Sequence, residues 1–138
     1  MKRVFLDTNV LIDILLEREA WMEDALLVLS MADRGEIEVY CSALSVATAS
    51  YLMERAKMPH EIMIDKLDVL CQICGLTRLD ASIVQQALRS SFDDFEDALQ
   101  YFSAHTIHAD VIITRNGKDF EDSTIPIQTA SDFLSSLQ

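Results

Sequence analysis

Glycine and proline are scarce in this sequence, at 3 and 2 of 138 residues, and half of the residues are hydrophobic. That balance excludes long disordered or low-complexity stretches and predicts a single domain over 1–138 that buries one sizeable core. Basic residues are also few: 11 Lys and Arg face 23 Asp and Glu, a formal net charge of −12. Polyphosphates draw their binding free energy largely from Lys and Arg, so such a partner would need a local basic patch or a cation held by the acids. A basic protein partner would suit the surface directly. No long hydrophobic run is present. The longest charge-free stretch, which takes in Tyr40 to Met53, carries Ser42, Ser45, Thr48 and Ser50 and falls short of the ~20 apolar residues of a bilayer span. The apolar run Val4-Phe5-Leu6 is cut by Asp7, so a secretory signal peptide is not expected here. Three cysteines, an odd number without an export signal, predict reduced thiols and a cytoplasmic location. Cys71 and Cys74 have no second pair to complete a zinc site, and they share a helical stripe with Met63, Leu67 and Leu70. They are expected in the core. A glycine-rich phosphate loop and a nucleophile elbow are both missing.

What is present alternates between strands and helices. Val4 to Leu6 reads as a buried strand stopping at Asp7, and Asp7-Thr8-Asn9 supplies caps for a helix carrying Val10, Leu11, Ile14 and Leu15. A second helix is expected from Trp21 to about Arg34, with Ala25, Leu26, Leu29 and Ala32 inward and Gly35 as its stop. Glu38 to Cys41 follows as a strand. Ser42 caps a helix whose apolar residues are Leu44, Ala47, Tyr51 and Leu52, and another helix runs from Pro59 to Cys74. Leu76 to Leu79 reads as a brief strand, Asp80 and Asp94 as caps of two more helices, Val111 to Ile113 as a buried strand, and Ile125 to Ile127 as a weak one. Ala130 to Leu137 closes the chain as a helix. This order predicts an α/β fold with a parallel sheet covered on both faces, where ligands sit beyond the carboxyl ends of the strands. Asp7 and the loop from Thr114 to Asp119 both lie at such ends and are expected to be neighbours.

A carboxylate at the tip of a buried strand is costly to ionise without compensation, and several together repel one another. Gathering them calls for a metal. Mg²⁺ suits an oxygen-only donor set and keeps waters that a phosphate or nucleophile can replace. Asp94 and Asp97, spaced i and i+3, share a helix face, with Glu96 turned away. Simpler roles compete: Asp7 and Asp94 suit helix caps, Asp119 a solvated turn, and Asp13, Asp93 and Glu96 structural or solvated positions. His105 and His108 have no ligand-spaced partner and suit surface or packing roles.

Three segments carry a family resemblance. VFLDTNVLID, from Val4 to Asp13, is similar to the opening of PIN domains, the family that includes the VapC-type toxin ribonucleases of bacterial toxin–antitoxin pairs. DFEDALQ, from Asp94, and DVIITRNGKDF, from Asp110, resemble its other hallmark stretches in the same order. The resemblance implies a three-layer α/β/α sandwich with a central, mostly parallel sheet of about four to five strands. It also implies an endoribonuclease dependent on Mg²⁺ or Mn²⁺, in which Asp7, Asp97 and Asp119 are catalytic and metal-ligating. Thr48 stands where the family usually has Glu, and Asp94 is the residue that would compensate. Thr8, Asn9 and Thr114 would orient the ligands, Asn116 would assist Asp119, and Arg115 or Lys118 would steady the phosphate. The implied partners are an RNA substrate, an antitoxin protein and a second copy of the chain.

Two other classes compete. Haloacid-dehalogenase-like enzymes begin DxDxT, but position 9 is Asn, and a receiver domain would need an acidic pair near its first strand. A PIN-like module that binds RNA or protein without cutting is the alternative suggested by Thr48 and the net charge of −12.

Overall fold

The computed structural model describes residues 1–138. Five strands and seven helices follow one another as β1 (Arg3–Leu6), α1 (Thr8–Leu15), α2 (Glu19–Asp33), β2 (Glu38–Ser42), α3 (Ala43–Arg55), α4 (His60–Ile73), β3 (Gly75–Thr77), α5 (Ala81–Leu88), α6 (Phe95–Thr106), β4 (Val111–Ile113), β5 (Ile127–Gln128) and α7 (Ala130–Ser136). A 3-10 turn, Gly117–Phe120, separates β4 from β5. The sheet is wholly parallel, in the order β3-β2-β1-β4-β5.

Strands covered on both faces need apolar residues at every position, and past Arg3 at its edge the central pair has them. Val4 and Leu6 of β1, with Val111 and Ile113 of β4, join the larger core formed by α1, α2, α3, α4 and α7. Phe5 and Ile112 point the other way, into a core with Tyr101, Ala104 and Phe120. There α6 continues into a third cluster with Ile83 and Ala87 of α5. The result is the three-layer α/β/α sandwich that the alternation and the resemblance predict. No helix is long and apolar enough to cross a membrane.

Local chemistry accounts for most boundaries. The carboxylates of Asp7, Asp80 and Asp94 and the hydroxyls of Ser42 and Thr129 accept from backbone amides of α1, α5, α6, α3 and α7 respectively. Gly35 follows α2 at φ +75°, a conformation costly for a residue with a Cβ. Gly75 has a different role from the helix stop that the sequence suggests: it begins β3, so that strand covers Gly75–Thr77 rather than Leu76 to Leu79. A Cβ there would lie 2.6 Å from the ring of Tyr40, its pairing partner on β2.

Two helix faces differ from expectation. On α2, Ala25 and Leu29 are buried as expected but Leu26 is exposed while Val28 is fully buried, and on α3, Ala47 and Tyr51 face solvent while Ser45, Ala49 and Met53 form the inner stripe. Both shifts have one cause. A helix with apolar residues on more than one side offers several stripes, and sheet contact selects among them. The last strand is Ile127–Gln128 rather than Ile125 to Ile127. Cys41 and Cys74 are buried and Cys71 half-buried, all as free thiols. A hydrogen bond with Cys74, together with burial, pushes the Cys41 thiol far up, as suits core rather than reactive cysteines.

Candidate functional site

The strand order places the switch point of the sheet at β1 and β4, where the chain stops adding strands on one side and begins on the other. In open parallel sheets the crevice beyond such a point is where ligands bind. Asp7 and Thr114, the residues directly after these two strands, stand there side by side.

Asp7 is buried and its carboxylate is surrounded by neutral donors. Oδ1 accepts from the Thr8 amide at 2.8 Å and from Gln100 Nε2 at 3.1 Å, and Oδ2 accepts from Thr114 Oγ1 at 2.8 Å and Asn9 Nδ2 at 3.4 Å. These bonds hold its two oxygens in a fixed plane. Thr8, Asn9 and Thr114 therefore sit where the sequence suggested, against the first acid. Gln100 was missed. It is 1% exposed, and its Nε2 also lies 3.1 Å from Thr8 Oγ1 and 2.8 Å from Ser45 Oγ, while Ser42 Oγ donates to its Oε1. The signal was available: Gln100 lies one turn after Asp97 on the same face of α6, the face that also carries Glu96 and Ser103.

Asp97 is half-buried and its carboxylate has none of these donors. It lines one hollow with Asp7, Thr8, Asn9, Glu96, Gln100 and Asn116, and a second with Asp93, Asp94, Lys118, Asp119, Glu121 and Asp122. Asp97 is the wall between them. Burial, and then the charges of Asp94, Asp7, Asp119 and Glu96, push its carboxyl up to about 7. Glu96, expected to turn away, is at the rim of the first hollow because α6 points its first turn at the opening, so side chains around the whole turn border it. Asp94 caps α6 by accepting from the Asp97 amide at 3.0 Å, and it lines the second hollow as well.

Four expected site residues are placed differently. Thr48 is absent from the hydrogen-bond network; Ser45, one turn earlier on α3, reaches Thr8 Oγ1 at 2.7 Å instead. Arg115 turns away from the acids and binds Asp13 through Nε at 2.8 Å and Nη2 at 3.1 Å. Asp119 and Asn116 are exposed and face different hollows. No three Asp, Glu, His or Cys side chains converge closely enough to hold a metal ion in this conformation, so the tight meeting of Asp7, Asp97 and Asp119 expected from sequence is a looser one, joined through Asp97. The chemistry of the donors still fits a hard cation. Carboxylate, amide and hydroxyl oxygens border the crevice without thiol or imidazole, the set favoured by Mg²⁺ and Mn²⁺ over zinc.

Comparison with known proteins agrees with this architecture. Among solved structures, VapBC2 from Rickettsia felis, bound to a DNA fragment from its promoter, superposes with a TM-score of 0.70 at 17% identity, covering 92% of this chain and 98% of that one. VapC20 of Mycobacterium tuberculosis, described as a sarcin-ricin loop cleaving toxin, gives 0.66 at 15% identity over 86% and 94%. VapBC-1 from nontypeable Haemophilus influenzae gives 0.65 at 16% identity over 94% and 98%. At such identities the likeness shows the fold. No curated protein matches the chain. The family profile described as PIN domain matches residues 3–118, from the first residue of β1 to the loop that carries Asp119, and the chain accordingly belongs to the PIN domain family.

Proposed function

We propose that the chain is a single PIN-domain unit over 1–138 that hydrolyses RNA phosphodiester bonds with Mg²⁺ or Mn²⁺, and that it is the toxin of a toxin–antitoxin pair. The observation that carries this reading is Asp97: a half-buried acid without a donor, ringed by Asp7, Asp94, Glu96 and Asp119 at the switch point of the sheet. Repulsion of that kind is a cost that structural acids avoid. Asp7, Asp97 and Asp119 would hold the ion, with Asp94 beside them. The chemistry supplied by a divalent cation at such a site is a lowered pKa for an attacking water and neutralised charge on the phosphoryl oxygens.

The chain's own residues do the rest. Thr8, Asn9, Gln100 and Thr114 orient Asp7. Six carboxylates and one ammonium, Lys118, border the outer hollow, so an RNA phosphate is repelled there until the acids are neutralised; Lys118 is then the cation placed to receive it. Partners of this reading are an RNA substrate, an antitoxin and a second copy of the chain, in the cytoplasm. The VapBC structures from Rickettsia felis and Haemophilus influenzae support the antitoxin. A groove lined by Ile14, Met22, Leu26 and Val69, in which Glu17, Asp33 and Asp65 outnumber Lys66, suits a basic amphipathic segment of such a partner.

A labelled single-stranded RNA incubated with the protein, with and without millimolar Mn²⁺, tests the activity. Cleavage is expected only with the ion and is expected to vanish in Asp97→Asn. A second reading, a module that binds RNA or protein without cutting, is favoured by Thr48 and by the four donors that already occupy Asp7. Retention of the RNA without cleavage by the metal-loaded protein would select it.

A further inference from the structure

Arg115 follows Thr114 in the polar loop beside the acids, where an arginine invites assignment to a substrate phosphate. Its guanidinium is already engaged. Nε and Nη2 form a two-point pair with Asp13, itself 1% exposed. The plane stacks on Trp21 of α2, with Cζ 3.9 Å from the ring centroid. The Arg115 amide donates to Asn9 Oδ1 at 3.2 Å. Asp13 and Asn9 lie towards opposite ends of α1, so one residue ties the loop leaving β4 to both.

We propose that Arg115 is a positioning residue: with Asp13 and Trp21 it clamps the loop after β4 along α1, and so fixes Thr114 and Asn9 against Asp7. The inference rests on the reading of Asp7 and Asp97 as the ion-holding centre. Thr114 Oγ1 shows what the clamp secures. Its hydrogen goes to Asp7 Oδ2 at 2.8 Å, and its oxygen accepts from Asn9 Nδ2 and from the Asn116 amide, each at 3.1 Å. Every bonding capacity of the hydroxyl is used, and a displacement of the loop breaks the bonds to Asp7 and Asn9 together, while the bond from the Asn116 amide lies within the loop. Arginine is required because the pair needs a planar fork and the stack a flat cation. Lysine supplies the charge and neither shape. Arg18 Nη1, 3.7 Å from Asp13 Oδ1, is a weaker second partner and does not reach the loop.

Three variants separate positioning from phosphate contact and from simple folding. Arg115→Lys keeps the charge. Asp13→Leu with Arg115→Met replaces the pair by apolar groups and leaves no buried charge unpaired. Trp21→Leu removes the stack alone. For each, Mn²⁺ affinity is read by paramagnetic resonance of the free ion, amide exchange is followed over residues 114–119, and RNA cleavage is resolved into kcat and KM. The clamp predicts Mn²⁺ affinity roughly 10-fold weaker in the first two variants, as for loss of groups that orient metal ligands. It also predicts a matching fall in kcat, unchanged KM, faster exchange in the loop, and a smaller effect of the same kind in Trp21→Leu. Unchanged Mn²⁺ affinity and exchange, with a raised KM and a salt dependence shallower by about one ion, would overturn it and make Arg115 a phosphate contact. If the wild-type protein neither binds Mn²⁺ nor cleaves RNA, the proposed function fails. Loop exchange then decides the clamp alone, and rates equal to wild type in Arg115→Lys would overturn it.

Discussion

Asp13 and Asp97 are both acids on helices that border the sheet crevice, and their surroundings are opposite. Asp13 is 1% exposed and is met by Arg115 at 2.8 Å and Arg18 at 3.7 Å, so fixed cations of the chain compensate its charge. Asp97 is less buried, yet it faces four other acids and its carboxyl is pushed up to about 7. Burial alone therefore does not mark a functional acid. An acid whose compensation is built into the chain is structural, and an acid whose compensation is missing is poised for a cation or a proton from outside.

Breaking the compensated side has the largest expected effect. Arg115→Met leaves Asp13 buried with only the distant Arg18, and removal of one partner of a buried pair costs about 3–5 kcal/mol. Urea denaturation monitored by circular dichroism is expected to show a loss of that order. A loss below about 1 kcal/mol would mean that Arg18 or water takes over and that the two regions differ less than claimed.

On the uncompensated side the expected sign is reversed. Because the Asp97 carboxyl is raised in the folded chain, folding favours its protonated form. Its contribution to stability is complete below about pH 4, the ordinary carboxyl range, and is lost as pH rises through about 7. Asp97→Asn is therefore expected to stabilise the metal-free protein at pH 7.5 by about 1 kcal/mol, a value kept small because water screens a half-exposed group. The same variant should leave stability at pH 4 unchanged. The difference between the two denaturation curves across pH 4 to 8 is the measurement, and a mutant less stable than wild type at pH 7.5 would contradict it.

The smallest effect is expected on α3. Thr48 follows Ser45 by one turn, on the side of the helix that leads to Thr8 and Asp7. Thr48→Glu adds a carboxylate there. It should tighten Mn²⁺ binding several-fold and destabilise the metal-free fold by less than ~1 kcal/mol. Mn²⁺ titration of both proteins checks this, and weaker binding in the variant would show that position 48 does not face the crevice.

The reach of sequence reasoning follows the same division. The strands Val4 to Leu6 and Val111 to Ile113 were legible because burial on both faces leaves continuous apolar runs, and the caps at Asp7, Ser42, Asp80 and Asp94 because each precedes a helical pattern. The neighbourhood of Asp7 and Thr114 followed from their place after those strands. The inner face of α3 was not legible, since Ala47, Tyr51, Ala49 and Met53 offer two stripes of similar apolarity. Gln100 escaped notice because an isolated glutamine on a helix is ordinarily solvated; only the packing of α6 under Asp7 makes it a donor to the site. Chain position alone puts Arg115 beside a substrate phosphate. Its actual direction depends on Asp13, more than a hundred residues away in sequence, and on Trp21, contacts that no local pattern encodes.

The claim that Asp97 lacks compensation until a cation binds is tested most directly by calorimetric titration of Mn²⁺ at pH 6.5 in two buffers of different ionisation enthalpy. The account predicts saturable binding with release of a proton, a release that fades above pH 8 where Asp97 is already ionised, and weaker binding without that proton in Asp97→Asn. Binding equally tight in Asp97→Asn, or no binding at tens of millimolar Mn²⁺, would contradict it.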